Sequence, residues 1–163
     1  MKNDRIALNV YRPGDNTFYK GFLHLDGNNL HLLQENSPSE GNLYLSPGWI
    51  DMHTHVYIGG GQLGIEPDRA GIEHGVHLLV DAGSAGVSNI GAFRDYVAPA
   101  VKTKIKAFLN ISSIGLASEQ PYLDKRHRDE EKTARCIMEN DHSFLIGVKV
   151  LASRIRVEQA GIE

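Results

Sequence analysis

From Pro47 onward the chain alternates segments that read as strands with segments that read as helices, and this rhythm constrains the fold more than any other feature. "GWIDMHTH", "VHLLVDAGSAG", "KIKAFLNISSIGL" and "FLIGVKVLAS" are short and largely apolar. Between them lie "EPDRAGIEHG", "SNIGAFRDYVAPAVK" and "DEEKTARCIMEN". In the second of these, Ser88 is placed to cap a helix whose Ile90, Phe93 and Val97 share one face. The third opens with acids, as a helix N-terminus favours, and sets Ala134, Ile137 and Met138 on one side. Strands recurring every ~25–40 residues need helical crossovers and therefore pair in parallel.

A parallel sheet covered by helices is either doubly wound or a (β/α) barrel. A doubly wound, dinucleotide-binding sheet wants G-x-G-x-x-G after its first strand; "GGGQLG", Gly59 to Gly64, does not match it and opens no clear helix. That segment reads as a loop beside the active-site face rather than a phosphate cradle. A full barrel takes ~250 residues, so residues 47–163 hold about four βα units. The fold class expected is α/β, the first half of a (β/α)8 TIM-type barrel.

Residues 1–46 differ in character. "RIALNVYR", "TFYKGFLHLDG" and "NLHLLQE" are strand-like pieces broken by Pro13-Gly14-Asp15-Asn16 and Gly27-Asn28-Asn29, a small antiparallel unit. "NSPSEGN", Asn36 to Asn42, reads as a linker. The two domains expected are therefore 1–46 and 47–163. With 41% apolar and 23% charged residues the composition is that of a soluble globular chain. A net charge of −3 argues against nucleic acid or an anionic membrane as partner, and no apolar run reaches the ~20 residues of a membrane span. The N-terminus lacks the apolar core of a secretory signal, and the single cysteine, Cys136, fits a reducing cytoplasm and a packing role on its helix.

Chemistry concentrates in "PGWIDMHTHVY", Pro47 to Tyr57. Residues i and i+2 of a strand share a face, so His53 and His55 project together with Asp51 one step deeper. At the C-terminal end of a first barrel strand that face is the mouth, where active sites sit. Two imidazoles there suit Zn²⁺ or another divalent ion; the competing reading is a surface histidine pair without metal. Gly48-Trp49-Ile50 reads as a buried lead-in, with polar residues only at the strand's end. Lys149 is the second anomaly, a lysine inside the apolar run "FLIGVKVLA", typical of a strand covered on both sides. Such burial favours the neutral amine, which can take up CO₂ as a carbamate. The competing readings are a rim lysine, or one paired with Asp51 or Asp81.

These pieces together resemble the amidohydrolase superfamily of metal-dependent hydrolases. "PGWIDMHTHVY" is similar to its first-strand signature, and the likeness continues through "LVDAGSAG", "KAFLNISSIGL" and "IGVKVLAS", over residues 46–154. The set is most similar to the dihydroorotase-like branch, in particular its amidohydrolase/deacetylase group. The resemblance implies that His53 and His55 bind the more buried metal and that carboxylated Lys149 bridges two divalent ions, zinc above all. It implies that residues 1–46 are part of a small β-sandwich flanking the barrel. It also implies a small-molecule substrate, an amide, ester or cyclic imide, attacked by metal-activated water. Two histidines from the fifth and sixth strands and a proton-shuttling aspartate from the eighth complete such a site. Here the last histidine and aspartate are His142 and Asp141, and the tail "RIRVEQAGIE" adds only Glu158 and Glu163 as acids. The chain thus reads as the N-terminal half of such an enzyme, a fragment inactive alone. The alternative is a non-catalytic metal-binding or assembly module that self-associates through half-barrel edges. True dihydroorotases carry an arginine just after H-x-H, whereas Val56-Tyr57-Ile58 stands here, so dihydroorotate is not the substrate expected.

Among the remaining polar residues, Asp81, Ser84, Asn110 and Ser112 stand at strand exits and face the mouth. His74 and His77 belong to the opposite, non-catalytic end. "DKRHRDEEK" reads as a solvated loop entering a helix, and Arg154 as either a surface residue or an anion contact.

Overall fold

A computed structural model of the chain describes residues 5–34, 42–118, 124–140 and 143–152. Residues 36–41 of the linker expected at 36–42, together with Asp141, His142, Arg154, Glu158 and Glu163, lie outside the described residues. The chain divides into two compact units, Met1–Pro47 and Gly48–Glu163.

The first unit is one four-stranded sheet. Strands β1 (Arg5–Arg12), β2 (Thr17–Asp26) and β3 (Asn29–Gln34) pair antiparallel, and a short β4 (Tyr44–Leu45) adds parallel to β1, giving the order β3-β2-β1-β4. The β1–β2 turn is set by Asn16, at φ 57, and by Asp15, whose carboxylate accepts from the Thr17 amide at 3.2 Å and its hydroxyl at 2.6 Å. A two-residue loop with Gly27 at φ 59 joins β2 to β3. Leu8 and Val10 alternate onto the buried face of β1. The antiparallel pieces stand where the sequence predicts them. The parallel strand at Tyr44 had no sequence signal, because two residues show no periodicity.

The second unit holds β5 (Trp49–Thr54), β6 (Val76–Asp81), β7 (Lys104–Asn110) and β8 (Leu145–Lys149), all parallel and ordered β5-β6-β7-β8. Spatial order follows chain order, with none of the reversal that marks a doubly wound sheet. The crossovers are α1 (Pro67–Ala70) with a 3₁₀ turn at Ile72–His74, α2 (Ile90–Ala92) continuing as a π-helical turn at Phe93–Val97, and α3 (Glu130–Met138). Ile105, Ala107 and Leu109 alternate onto the face that packs with Leu79, Ile90, Phe93 and Phe144. Phe93 centres this core, stacked on Tyr57 at 4.6 Å and edge-on to Phe144 at 5.3 Å. Burying each such ring stabilises the fold by about 1.5–3 kcal/mol. α1 is tied to the start of β7 by Asp68, which accepts from the amides of Lys102 and Thr103 and from the Thr103 hydroxyl.

Four details depart from the sequence reading. Asn89, not Ser88, precedes α2, and its side chain accepts from Gly86 N–H and donates to the Ile114 carbonyl, bracing two loops instead of capping. The inner face of α3 is Thr133, Cys136 and Ile137, whereas Ala134 and Met138 are exposed; the face is shifted by about one position because Thr133 can be buried with its hydroxyl bonded to the Asp129 carbonyl. β5 is not a buried lead-in, since Trp49, Ile50 and Met52 are 69%, 51% and 56% exposed. β8 is not covered on both sides, with Ile146 and Val148 at 40% and 45%. The last two share a cause: β5 and β8 are the edges of the described sheet, so each has one neighbour where an inner strand has two. No helix of the described residues is long and apolar enough to cross a membrane.

Candidate functional site

The exits of the four parallel strands are stitched together by buried polar groups. Thr54, the last residue of β5, accepts from Ala82 N–H at 2.7 Å and donates its hydroxyl to the Val80 carbonyl at 3.1 Å. Beyond it, the Asp81 carboxylate accepts from Val56 N–H at 2.8 Å and from Ser84 N–H at 2.6 Å. Asp81 and Ser84 are wholly buried. The Ser84 hydroxyl lies 2.8 Å from Nδ1 of His55. Asn110, at the end of β7 and also wholly buried, donates to the Gly83 carbonyl at 2.7 Å and accepts from Ser112 N–H at 2.9 Å. Asn110 is the register partner of Lys149, whose carbonyl accepts from Ile111 N–H.

Glycines make this crossing of loops feasible. Gly83 adopts φ +86, and a Cβ there would meet Cβ and Cγ of Lys149 at 2.6 Å. Gly61 lies so close to the Leu116 carbonyl that a Cβ would sit 2.7 Å from it, while Gln62 N–H donates to the same oxygen. The "GGGQLG" segment is thus packed at Gly61 and Gln62 on the loop after β7.

His53 and His55 stand with ring centroids 5.9 Å apart and planes at 80°. His53 is exposed and His55 half-buried. Burial pushes the His55 imidazole below 6.5, Asp81 opposes this, and the charges of His53 and Lys149 add to it. His55 is therefore neutral near pH 7, the form in which imidazole ligates metal. A 5.9 Å separation lies within the span of two imidazoles that each hold one ion at about 2.0–2.1 Å. Asp51 does not join them, because its carboxylate accepts from the His53 backbone N–H at 3.0 Å.

Lys149 is half-buried, on the face of Phe108 and Asn110. Among the described residues no carboxylate lies within ion-pair distance of it, so neither Asp51 nor Asp81 is its partner. Among the described residues, too, no three His, Cys, Asp or Glu side chains gather around one point. Two imidazoles and a lysine stand at the strand exits, beside the Asp81 carboxylate that two backbone amides engage. His74 and His77 are exposed at the entry end of β6, with His77 packed on Gly48. Cys136 is half-buried against the core and burial raises its thiol pKa, as suits packing rather than nucleophilic attack. A cavity of about 380 Å³ on the helix side, lined in part by Ile90, Arg94, Cys136 and Phe144, lies away from these groups.

Ser84 as the partner of His55, and Asn110 as the tie between loops, were legible only as residues facing the mouth. The Asp81-x-x-Ser84 spacing signals only the local turn in which the aspartate accepts from the Ser84 amide, and nothing in the sequence signals the contact with His55.

Over 122 residues the chain is 41% identical to a deacetylase of Agrobacterium fabrum, an alignment covering 73% of this chain and 30% of that protein. A deacetylase of Brucella anthropi matches over the same length with the same identity and coverage. One of Enterococcus faecalis is 32% identical over 123 residues, 76% of this chain and 33% of that protein. The chain spans about a third of the length of these curated relatives. In fold it is similar to a dihydroorotase crystal structure, with TM-score 0.72 and 31% identity over 93% of this chain and 43% of that one. An adenine deaminase, with TM-score 0.68 and 24% identity over 94% and 45% of the two chains, shares the fold. No family model matches the chain. Sequence relatives and structural neighbours together support the resemblance to the amidohydrolase superfamily and a hydrolase lineage.

Proposed function

We propose that His53, His55 and Lys149 are metal ligands of a deacetylase-type amidohydrolase site, and that the described sheet is the first half of its (β/α)8 barrel. The observation that carries this is placement: two imidazoles at the exit of β5 and Lys149 at the end of β8, in a sheet whose order follows the chain. Their nitrogen donors, with His55 kept neutral by burial, fit zinc. When bound, such an ion lowers the pKa of water and polarises a carbonyl oxygen. His55 supplies an uncharged imidazole from the half-buried side, and His53 one from the open side. A neutral Lys149 amine that adds to CO₂ forms an N–C bond, releases a proton and presents two anionic oxygens toward the same space.

The whole enzyme would act on an amide, ester or cyclic imide of a small molecule. His53, His55 and Lys149 fall short of a binuclear ligand set, and among the described residues no aspartate stands with them free to shuttle a proton, so metal binding without turnover is the behaviour expected of the 163-residue chain. Zinc calorimetry on the wild type, His53→Ala, His55→Ala and Lys149→Ala, beside an assay with N-acetyl amino acids, tests both statements. Binding weakened at least tenfold by each substitution, with no hydrolysis, is the expected result. Binding indifferent to all three would remove the ligand assignment, and turnover abolished by His53→Ala would overturn the inactivity of the chain.

The exposed apolar side chains of the edge strands, Trp49, Ile50 and Met52 on β5 and Ile146 and Val148 on β8, favour a second reading in which the chain assembles through its edges. Sedimentation of the purified chain distinguishes the two: a monomer at micromolar concentration excludes assembly.

A further inference from the structure

We propose that Gly83 is a positioning residue for Lys149: its bare backbone is the surface on which the lysine stem lies, and it brings the amine across the strand exits toward His55. The inference rests on the reading of Lys149 and His55 as ligands and assigns the group that brings them to one space. Lys149 ends β8, whereas His55 follows β5, the opposite edge of the described sheet, with β6 and β7 between them. The lysine therefore needs a path across the exits, and the loop after β6 supplies it. The Asn110 side chain, at the end of β7, donates to the Gly83 carbonyl at 2.7 Å, and Asn110 N–H donates to the Ala85 carbonyl at 2.8 Å. Leu116 N–H donates to the Ser84 carbonyl at 2.9 Å. These three bonds draw residues 83–85 from β6 over the end of β7, toward β8.

A Cβ on Gly83 would stand 2.6 Å from Cβ and Cγ of Lys149 and 3.5 Å from Asn110 Nδ2. The lysine stem thus occupies the gap that the missing side chain leaves. The next residue, Ser84, holds its hydroxyl 2.8 Å from Nδ1 of His55, so adjacent residues of one loop meet Lys149 and His55. The charge of Lys149 is accordingly felt at the His55 ring. Carbon atoms in contact stand about 3.5–4.0 Å apart, so a side chain at position 83 displaces the stem by about 1 Å. No rotamer change relieves this, because the Lys149 Cβ is fixed by the backbone of β8. Metal–ligand distances tolerate only about 0.2 Å, so a lysine moved that far is lost as a ligand.

The test uses the full chain. Competitive labelling with limiting acetic anhydride, read at each lysine by mass spectrometry, reports the exposure of the Lys149 amine, and zinc calorimetry reports its use as a ligand. Gly83→Ala should raise the Lys149 labelling rate several-fold and weaken zinc binding by about 10–100-fold. Adding Lys149→Ala to it should weaken zinc binding no further. Gly75→Ala is the control: Gly75 has φ +80 at the entry of β6, and a Cβ there has one neighbour, at 4.0 Å. It carries the left-handed strain without the contact, and both readouts should stay at the wild-type level. Labelling unchanged in Gly83→Ala, zinc affinity unchanged where the wild type binds, or equal changes in Gly75→Ala, would overturn the proposal. Where Gly83→Ala does not fold, a nuclear Overhauser contact between the Gly83 Hα and Lys149 Hγ protons of the wild type decides the point, its presence supporting the proposal and its absence overturning it. Should zinc fail to bind the wild type, the ligand reading falls while the labelling result still decides the role of Gly83.

Discussion

Asp81 and Val56 are joined by a 2.8 Å hydrogen bond from the backbone N–H just past the first parallel strand to a carboxylate that ends the second. The other carboxylate oxygen takes Ser84 N–H, so one buried side chain fixes both loops that meet at His55. A buried carboxylate is tolerable because both its oxygens are satisfied by donors that no solvent competes for.

Asp81→Asn keeps one acceptor but sets an amide NH₂ against a backbone N–H, leaving a buried donor without a partner. The expected destabilisation is about 1–3 kcal/mol, read from urea unfolding. A variant within experimental error of the wild type would show that the carboxylate is not what holds the two loops.

Gly83→Ala puts a Cβ on a backbone at φ +86, against Cβ and Cγ of Lys149. Left-handed strain alone costs about 1–3 kcal/mol for a non-glycine residue, and the clash adds to it and moves Lys149. A clear fall in melting temperature is expected; an unchanged one would mean that the β6 exit relaxes without strain.

His55 should titrate below 6.5, since burial is the largest influence on it. The sign follows from linkage: the unfolded chain takes up the proton first, so this contribution to stability is intact above 6.5 and is lost as pH falls through the folded value. Histidine ring shifts followed against pH check it, and a midpoint at or above 6.5 would contradict the burial of the ring.

Asp68 is held below its usual 3.8 chiefly by the amides of Thr103 and Lys102. Its stabilising effect is present above 3.8 and disappears as pH falls through the lower folded value. Asp68→Asn should be less stable than the wild type at neutral pH, with the two converging in acid. Parallel curves would show that the α1–β7 tie is independent of the charge.

Periodicity carried much of this structure in the sequence. Strands alternating with helical stretches made a parallel sheet, and the H-x-H at Pro47–Tyr57 lies at a strand exit because polar residues end an apolar run. Contacts between exits were not readable, since Ser84 meets His55 across 29 positions and Asn110 meets Gly83 across 27. Neither pair shows a local pattern. The rotation of α3 was missed for a related reason: Thr133 is polar, yet it is buried while bonding its hydroxyl to the Asp129 carbonyl. A reading that follows apolar residues places the helix face one step too far on. Edge exposure of β5 and β8 depends on neighbours, which hydrophobicity alone does not reveal.

The most direct test of the metal assignment is native mass spectrometry of the purified chain, with and without zinc and bicarbonate. Bound zinc together with the added mass of one CO₂, the zinc lost in His55→Ala and the CO₂ lost in Lys149→Ala, is the result expected. A chain that takes up neither, or that binds zinc equally well after both substitutions, would contradict a metal site built on His53, His55 and Lys149.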